Sequence, residues 1–162
     1  MQERVLVMTA SVDIQTAKKV AVVDANRILM ESPQLEFASM QLKNELRPSA
    51  MRLNKLKEDY DAEAGRLAKA DEQGMAKIKI EQKRIELLAE AKEYETNLAR
   101  RKSEIFKVTM KVVQGVVDEI AREAGYDLVF DAKAFATPDA SRESVYDISE
   151  QVLERLKSLP RM

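Results

Sequence analysis

Arg100-Arg101-Lys102 is the sharpest concentration of charge in the chain. Guanidinium groups hold phosphate or carboxylate oxygens in a bidentate grip, so one reading of the cluster is an anion site. The other is a solvated helix face balanced by Glu93, Glu95 and Glu104. A second group of cations brackets Gly74: Arg66 and Lys69 before it, Lys77, Lys79, Lys83 and Arg84 after it. Either these pair with Asp71, Glu72 and Glu81, or they leave a positive tip that meets acidic partners or membrane headgroups. Carboxylates such as Asp59 and Glu63 could hold a divalent ion or exchange protons, but on a charged helix they read as surface charge. Met40, Met51, Met75 and Met110 sit at helix-face spacing. They fill a core or offer an adaptable surface, since flexible thioethers suit promiscuous binding.

Little else in the sequence could do chemistry. There is no Cys and no His. That removes thiolate nucleophiles, disulfides, histidine bases, the Ser-His-Asp triad and Cys- or His-based metal sites. The 4 glycines form neither GxGxxG nor GxxxxGK[ST], so no phosphate-cradling loop is present. With 27 Lys+Arg against 28 Asp+Glu the net charge is −1, and no overall basic field draws nucleic acid. No cofactor or metal is expected, and the chain reads as a binding or structural protein rather than an enzyme. A structural coiled-coil adaptor that bridges protein partners fits these exclusions.

The positioning elements must be helices. Across 162 residues there are only 4 Gly and 4 Pro, while 34 % of the chain is charged and 5 % aromatic. Few breakers and many charges fit long amphipathic helices rather than a sandwich or a wound sheet. Leu46, Leu53, Tyr60 and Leu67 recur every seven residues, with Leu42, Leu56 and Ala64 in the same stripe. Ile78, Ile85, Leu88, Leu98, Ile105 and Val112 are read as continuing that stripe in the second half. A break near 71–75, with Gly74 able to end a helix, makes this a hairpin: 35–71 outbound, 75–124 returning. Pro48 inside the outbound helix and Gly115 on the returning one mark a hinge. Gly125 closes the returning helix.

Strands flank the hairpin. Lys18–Asp24 is a short apolar run after a basic pair, followed by a short helix over 26–31 and a break at Ser32-Pro33. Tyr126–Phe130 and Ser144–Asp147 are two further strands around a polar loop at Thr137-Pro138-Asp139. Asp147 is expected to cap a last helix, with Glu150 in the reciprocal place of a capping box and Val152, Leu153 and Leu156 on its apolar face. The strands can pair only if the hairpin returns the chain to its starting point. The expected organisation is therefore mainly α with a small β body. A discontinuous head comprises 18–34 plus 125–157, an arm spans 35–124, and 1–17 and 158–162 are tails. A head of roughly 50 residues is near the lower limit of independent stability, so it is expected to oligomerise. Val20, Val22, Leu128, Phe130, Val145 and Ile148 are its expected core, some of them against neighbouring subunits. Residues 1–10 carry an apolar stretch shorter than the ~7–15-residue core of a signal peptide, and no run reaches the ~18–20 residues of a membrane span.

This order of elements resembles the Skp/OmpH family of periplasmic outer-membrane-protein chaperones. The resemblance covers about 18–157 and is most specific at Lys19–Asp24, Asn44-Glu45-Leu46, Leu98–Glu104 and Asp127–Ala132. It implies a homotrimer with a shared barrel-like body and three helical hairpins projecting around a cavity in a jellyfish-like assembly. It also implies a periplasmic location and ATP-independent holding of unfolded outer-membrane proteins in transit. The family's proposed lipopolysaccharide site has an Arg pair that falls on Arg100 and Arg101, whereas the Lys preceding it falls near Glu90. Family members are strongly basic; this chain is not.

Overall fold

A computed structural model describes residues 19–69, 74–134 and 145–161. The expected tails at 1–17, the loop at Thr137-Pro138-Asp139 and the turn acids Asp71 and Glu72 lie outside the described residues. In chain order the elements are β1 (Val20–Val23), α1 (Ala25–Glu31), α2 (Pro33–Lys69), α3 (Met75–Ala124), β2 (Leu128–Asp131), a 3-10 turn (Ala132–Ala134), β3 (Val145–Asp147) and α4 (Ser149–Ser158). The chain divides into two compact units, one made of residues up to Ser39 and from Ile105 onward, the other Met40–Glu104.

The first unit is built on a three-stranded sheet in the order β2-β1-β3, with β1 parallel to both neighbours. Val20 pairs with Leu128 and Val145, and Val22 with Phe130 and Asp147. Side chains alternate along β1, so Ala21 and Val23 face one way and Val20 and Val22 the other. Ala21, Val23 and Val129 are fully buried beneath α1, α4 and the last turns of α3, against Ile28, Val113, Val117, Ile120, Ile148, Val152, Leu153 and Leu156. Of the expected core, Leu128 and Ile148 are buried. Val20, Val22, Phe130 and Val145 are half-buried. All four stand on the strand face that turns away from the core cluster; Leu128 shares that face through its pairing with Val20 but is buried.

Local chemistry explains the boundaries. Asp24 caps α1, its carboxylate accepting the Arg27 N–H at 3.0 Å. Ser32 Oγ accepts from Leu35 N–H at 3.3 Å, and Pro33 starts α2, where its missing N–H costs nothing. Gly125 takes φ +69° after Ala124, and Tyr126 N–H closes back onto the Ala121 carbonyl at 2.9 Å, a Schellman-type end. Lys19 Nζ donates to the Ala124 carbonyl at 2.6 Å and lies 4.5 Å from the Tyr126 ring centre, which fastens the start of β1 to the end of α3.

The start of α4 differs from expectation. Ile148, not Asp147, is its N-cap and makes no side-chain cap bond. Asp147 ends β3, and its carboxylate accepts the Ser149 N–H at 3.0 Å, while Ser149 Oγ accepts from Asp24 N–H at 2.9 Å. Glu150 reaches across to Arg27 instead of closing a capping box, because the neighbouring α1 offers a charged partner. Replacing Leu153, which is 2 % exposed, by Ala is expected to cost about 2–5 kcal/mol in urea unfolding at fixed protein concentration. Leu88→Ala, at a 56 % exposed position, is expected to change stability by less than about 0.5 kcal/mol.

Candidate binding surface of the hairpin

Within Met40–Glu104 the two long helices share one seam. On α2 it is made by Leu42, Leu46, Ser49, Leu53, Leu56, Tyr60, Glu63 and Leu67, all buried or half-buried at alternating spacings of three and four. On α3 it is made by the half-buried Ala76, Ile80, Lys83, Leu87, Glu90, Tyr94, Asn97, Arg101 and Glu104, with the same spacing. Lys83 Nζ pairs with Glu63 at 2.7 Å, and Arg101 grips Glu45 through Nε at 3.1 Å and a terminal nitrogen at 2.9 Å. Both cross-helix pairs are symmetric about position 73, which fixes the register of the hairpin.

The stripe expected on α3 is therefore corrected. Leu98, Ile105 and Val112 are half-buried, but Ile78, Ile85 and Leu88 are exposed, at 54, 58 and 56 %. The seam runs along a different heptad phase. Ile78, Gln82, Ile85, Ala89, Lys92, Thr96, Ala99 and Ser103 follow each other at three- and four-residue steps, all exposed, nearly opposite the seam. Lys92 is the single charge in that set, on a helix dense with Lys, Arg and Glu. The strip is about 38 Å long at ~1.5 Å per residue. Leu88 flanks it, and Met75 near its tip end is 72 % exposed. Met40 and Met51 on α2 are exposed too, whereas Met110 is half-buried. A strip with a single charge can give weak, non-directional contacts to apolar chain without offering a backbone edge.

The charged candidates behave differently from one another. Arg101 is occupied by Glu45 and by Glu104, the latter at 2.6 Å, and Arg100 pairs with Glu104 at 2.7 Å. The two guanidinium groups are thus satisfied by carboxylates, and Lys102 beside them is exposed. Hydrogen bonding to Arg101 holds the Glu45 and Glu104 carboxyls below the usual carboxylate range, and Lys83 does the same to Glu63. At the tip, Arg84 is paired with Glu81 at 2.8 Å. Arg66, Lys69, Lys77 and Lys79 are exposed and make no ion pair among the described residues. Gly74 there has φ +112°, a conformation that favours glycine. Gly115 lies in the other unit, further along α3, and the residue level with Pro48 in the hairpin register is Leu98. Among the described residues no cluster of His, Cys, Asp or Glu is placed to hold a metal ion, and no helix is long and apolar enough to cross a membrane.

These features define a class: a chain that combines a long helical hairpin, its second helix bearing a nearly uncharged outer strip, with a small parallel-sheet unit. Comparison with known proteins gives the class its family. Residues 19–156 match the family model of outer membrane protein (OmpH-like), so the chain belongs to the Skp/OmpH family. It is 29 % identical over 153 residues to the chaperone protein Skp of Pectobacterium atrosepticum, covering 91 % of this chain and 93 % of that one. The Skp of Vibrio cholerae is 26 % identical over 152 residues, covering 88 % and 86 %. The crystal structure of an OmpH-like outer membrane chaperone from Caulobacter crescentus CB15 superposes with a TM-score of 0.57 over 96 % of this chain and 92 % of that one, at 14 % identity. That likeness concerns the fold.

The ion pairs set a pH expectation. Carboxyls whose folded pKa is depressed stabilise the hairpin above the ordinary Glu value of ~4.3, and that contribution is lost as pH falls through their folded values. The urea midpoint of the hairpin is expected to drop between pH 7 and pH 3. In Glu45→Gln/Glu63→Gln the midpoint should be lower at pH 7 and the drop smaller. An unchanged drop would place the acid sensitivity elsewhere.

Proposed function

We propose that the protein is an ATP-independent holdase that binds unfolded outer-membrane proteins in the periplasm and keeps them from aggregating. The observation that carries this reading is the exposed, almost uncharged strip of α3 in a chain of a chaperone family. Holding needs no chemical step. A protein that binds the unfolded form lowers its free concentration by mass action. Several strips presented together act at high effective concentration, so the complex is tight while each contact exchanges quickly.

The half-buried sheet face supports a homotrimer as the working form. Parallel strands are usually covered on both faces, yet Val20, Val22, Phe130 and Val145 are only half-buried and stand outside the core cluster among the described residues. Other copies of the chain would supply the cover. Hairpins around a shared body would then enclose a client in a cavity lined by their strips. The exposed cations Arg66, Lys69, Lys77 and Lys79, which form no ion pair among the described residues, would give each tip an affinity for anionic headgroups at the membrane surface. Arg100 and Arg101 of the Arg100-Arg101-Lys102 cluster are held by Glu45 and Glu104, so a lipopolysaccharide contact through them would have to displace those carboxylates.

Two measurements test the reading. In light scattering, a trimer mass is expected for the wild type and a smaller mass for Phe130→Asp. In a dilution assay of an unfolded outer-membrane barrel, stoichiometric protein is expected to suppress turbidity, and Ile78→Glu/Ile85→Glu to lose most of that effect with its mass unchanged. No suppression by the wild type would favour the adaptor role.

A further inference from the structure

Sulfur is unevenly placed on the hairpin. Met40, Met51 and Met75 all lie in the Met40–Glu104 unit and are 55, 65 and 72 % exposed. Leu42, Leu46, Leu53, Leu56 and Leu67 of α2 belong to the seam, which leaves Met40 and Met51 as the large apolar side chains that α2 exposes. Eleven residues separate them, three helical turns, so they stand on one face about 16 Å apart. Beyond Met75, the large apolar side chains that α3 exposes are Ile78, Ile85, Leu88, Phe106 and Val108, none of which carries sulfur. Met110 is half-buried. The two helices thus show water apolar surfaces of different chemistry. That of α2 is thioether, and that of α3 past its first residue is hydrocarbon.

The difference matters to an oxidant. A thioether is readily oxidised to a sulfoxide, and the chain has no cysteine to intercept the reagent first. We infer that Met40, Met51 and Met75 form an oxidation site, at which a peroxide turns the outer apolar surface of α2 and the first residue of α3 polar while the fold and the Ile78–Ile85 strip stay intact. A sulfur lone pair attacks one peroxide oxygen, and the S–O bond forms as the O–O bond breaks. The departing hydroxide takes the proton from the sulfur-bound oxygen and leaves as water. Sulfur gives up two electrons and the peroxide receives them, so each methionine consumes one hydrogen peroxide and yields one sulfoxide and one water. The product is polar where the thioether was not, and sulfoxide reductases reverse it. At exposed positions the change removes no packing, so stability is kept. What is lost is the capacity of α2 to adhere to apolar chain. That consequence rests on the holdase reading: contacts through α2 weaken, those through α3 remain, and holding is reduced rather than abolished.

The test treats the protein with hydrogen peroxide and maps its peptides by mass spectrometry. Met40, Met51 and Met75 are expected to gain one oxygen each at close to the rate of methionine in a short peptide, and Met110 to react about tenfold or more slowly. Circular dichroism and the urea midpoint should not move. Retention of the native protein on a phenyl matrix should fall, and should recover after treatment with sulfoxide reductases. Met40→Leu/Met51→Leu/Met75→Leu should keep its retention through the same exposure, although it still carries the 67 % exposed Met30 of α1. In the barrel dilution assay the oxidised wild type should need about threefold more protein for equal suppression, and the leucine variant no more than before. Slow conversion of the three methionines, conversion of Met110 at their rate, unchanged retention after full conversion, or an equal fall in the leucine variant would overturn the site. Undiminished holding by fully converted protein would remove the α2 face from client contact. The peptide map and the phenyl retention need no client, so they judge the oxidation site even where untreated protein fails to hold a barrel and the holdase reading falls.

Discussion

Parallel pairing of β1 with β2 is the constraint from which the rest of the structure follows. Antiparallel neighbours can be joined by a two-residue turn, but a parallel neighbour must be reached by a crossover. Here the crossover is the whole of α1, α2 and α3, and it can succeed only by going out and coming back. Every feature of the hairpin serves that return: the Pro33 start, the Gly74 turn, the two ion pairs that fix register, and the Gly125 end that delivers Tyr126 to β2. The small body is then assembled from both ends of the chain, with α1 and α4 tied together through Arg27 and Glu150, and α4 tied to α3 through Arg155 and Glu123.

The hairpin seam is only partly apolar. Lys83, Glu90, Asn97, Arg101 and Glu104 occupy positions where a stable two-helix seam would carry leucine. Half-exposed ion pairs contribute little stability each, but they penalise any shift in register, since a slipped pair leaves charges unmatched. Apolar residues that could have strengthened the seam, Ile78 and Ile85, stand outside it instead. The helix thus leaves two large apolar side chains in water rather than in its seam.

That exchange explains what the sequence disclosed and what it concealed. The strand positions, the Asp24 and Ser32-Pro33 boundaries, the hairpin and the Gly125 stop were legible, because each is set by residues within a few positions of it. The seam of α3 was not. Two heptad phases run along the same helix, and ranking them by hydrophobicity selects Ile78, Ile85 and Leu88, the exposed phase. Only the cross-helix pairing of Glu45 with Arg101 and Glu63 with Lys83 tells them apart. One signal was available: Ile78 to Ser103 at heptad steps holds a single charge, too clean for an ordinary solvent face. The role of Glu150 was hidden for a related reason. A capping box is a local pattern, and its carboxylate was taken by Arg27, distant in sequence. Which residue stands level with Pro48 likewise depends on a register that spacing alone does not supply.

The separation between Val20 and Leu128 also governs how the chain acquires its structure. Contacts within each helix, and across the hairpin near its turn, can form as soon as neighbouring segments exist. The sheet closes a loop of more than a hundred residues, at an entropic cost that must be met before the core under it gives any return. A preformed hairpin shortens that loop to little more than the gap between its two ends. During synthesis β1 must wait, unpaired, until nearly the entire polypeptide has emerged. A prematurely terminated chain has a hairpin but no β2, β3 or α4, and so lacks the surface on which copies would meet. In the proposed homotrimer, assembly would therefore await the complete chain.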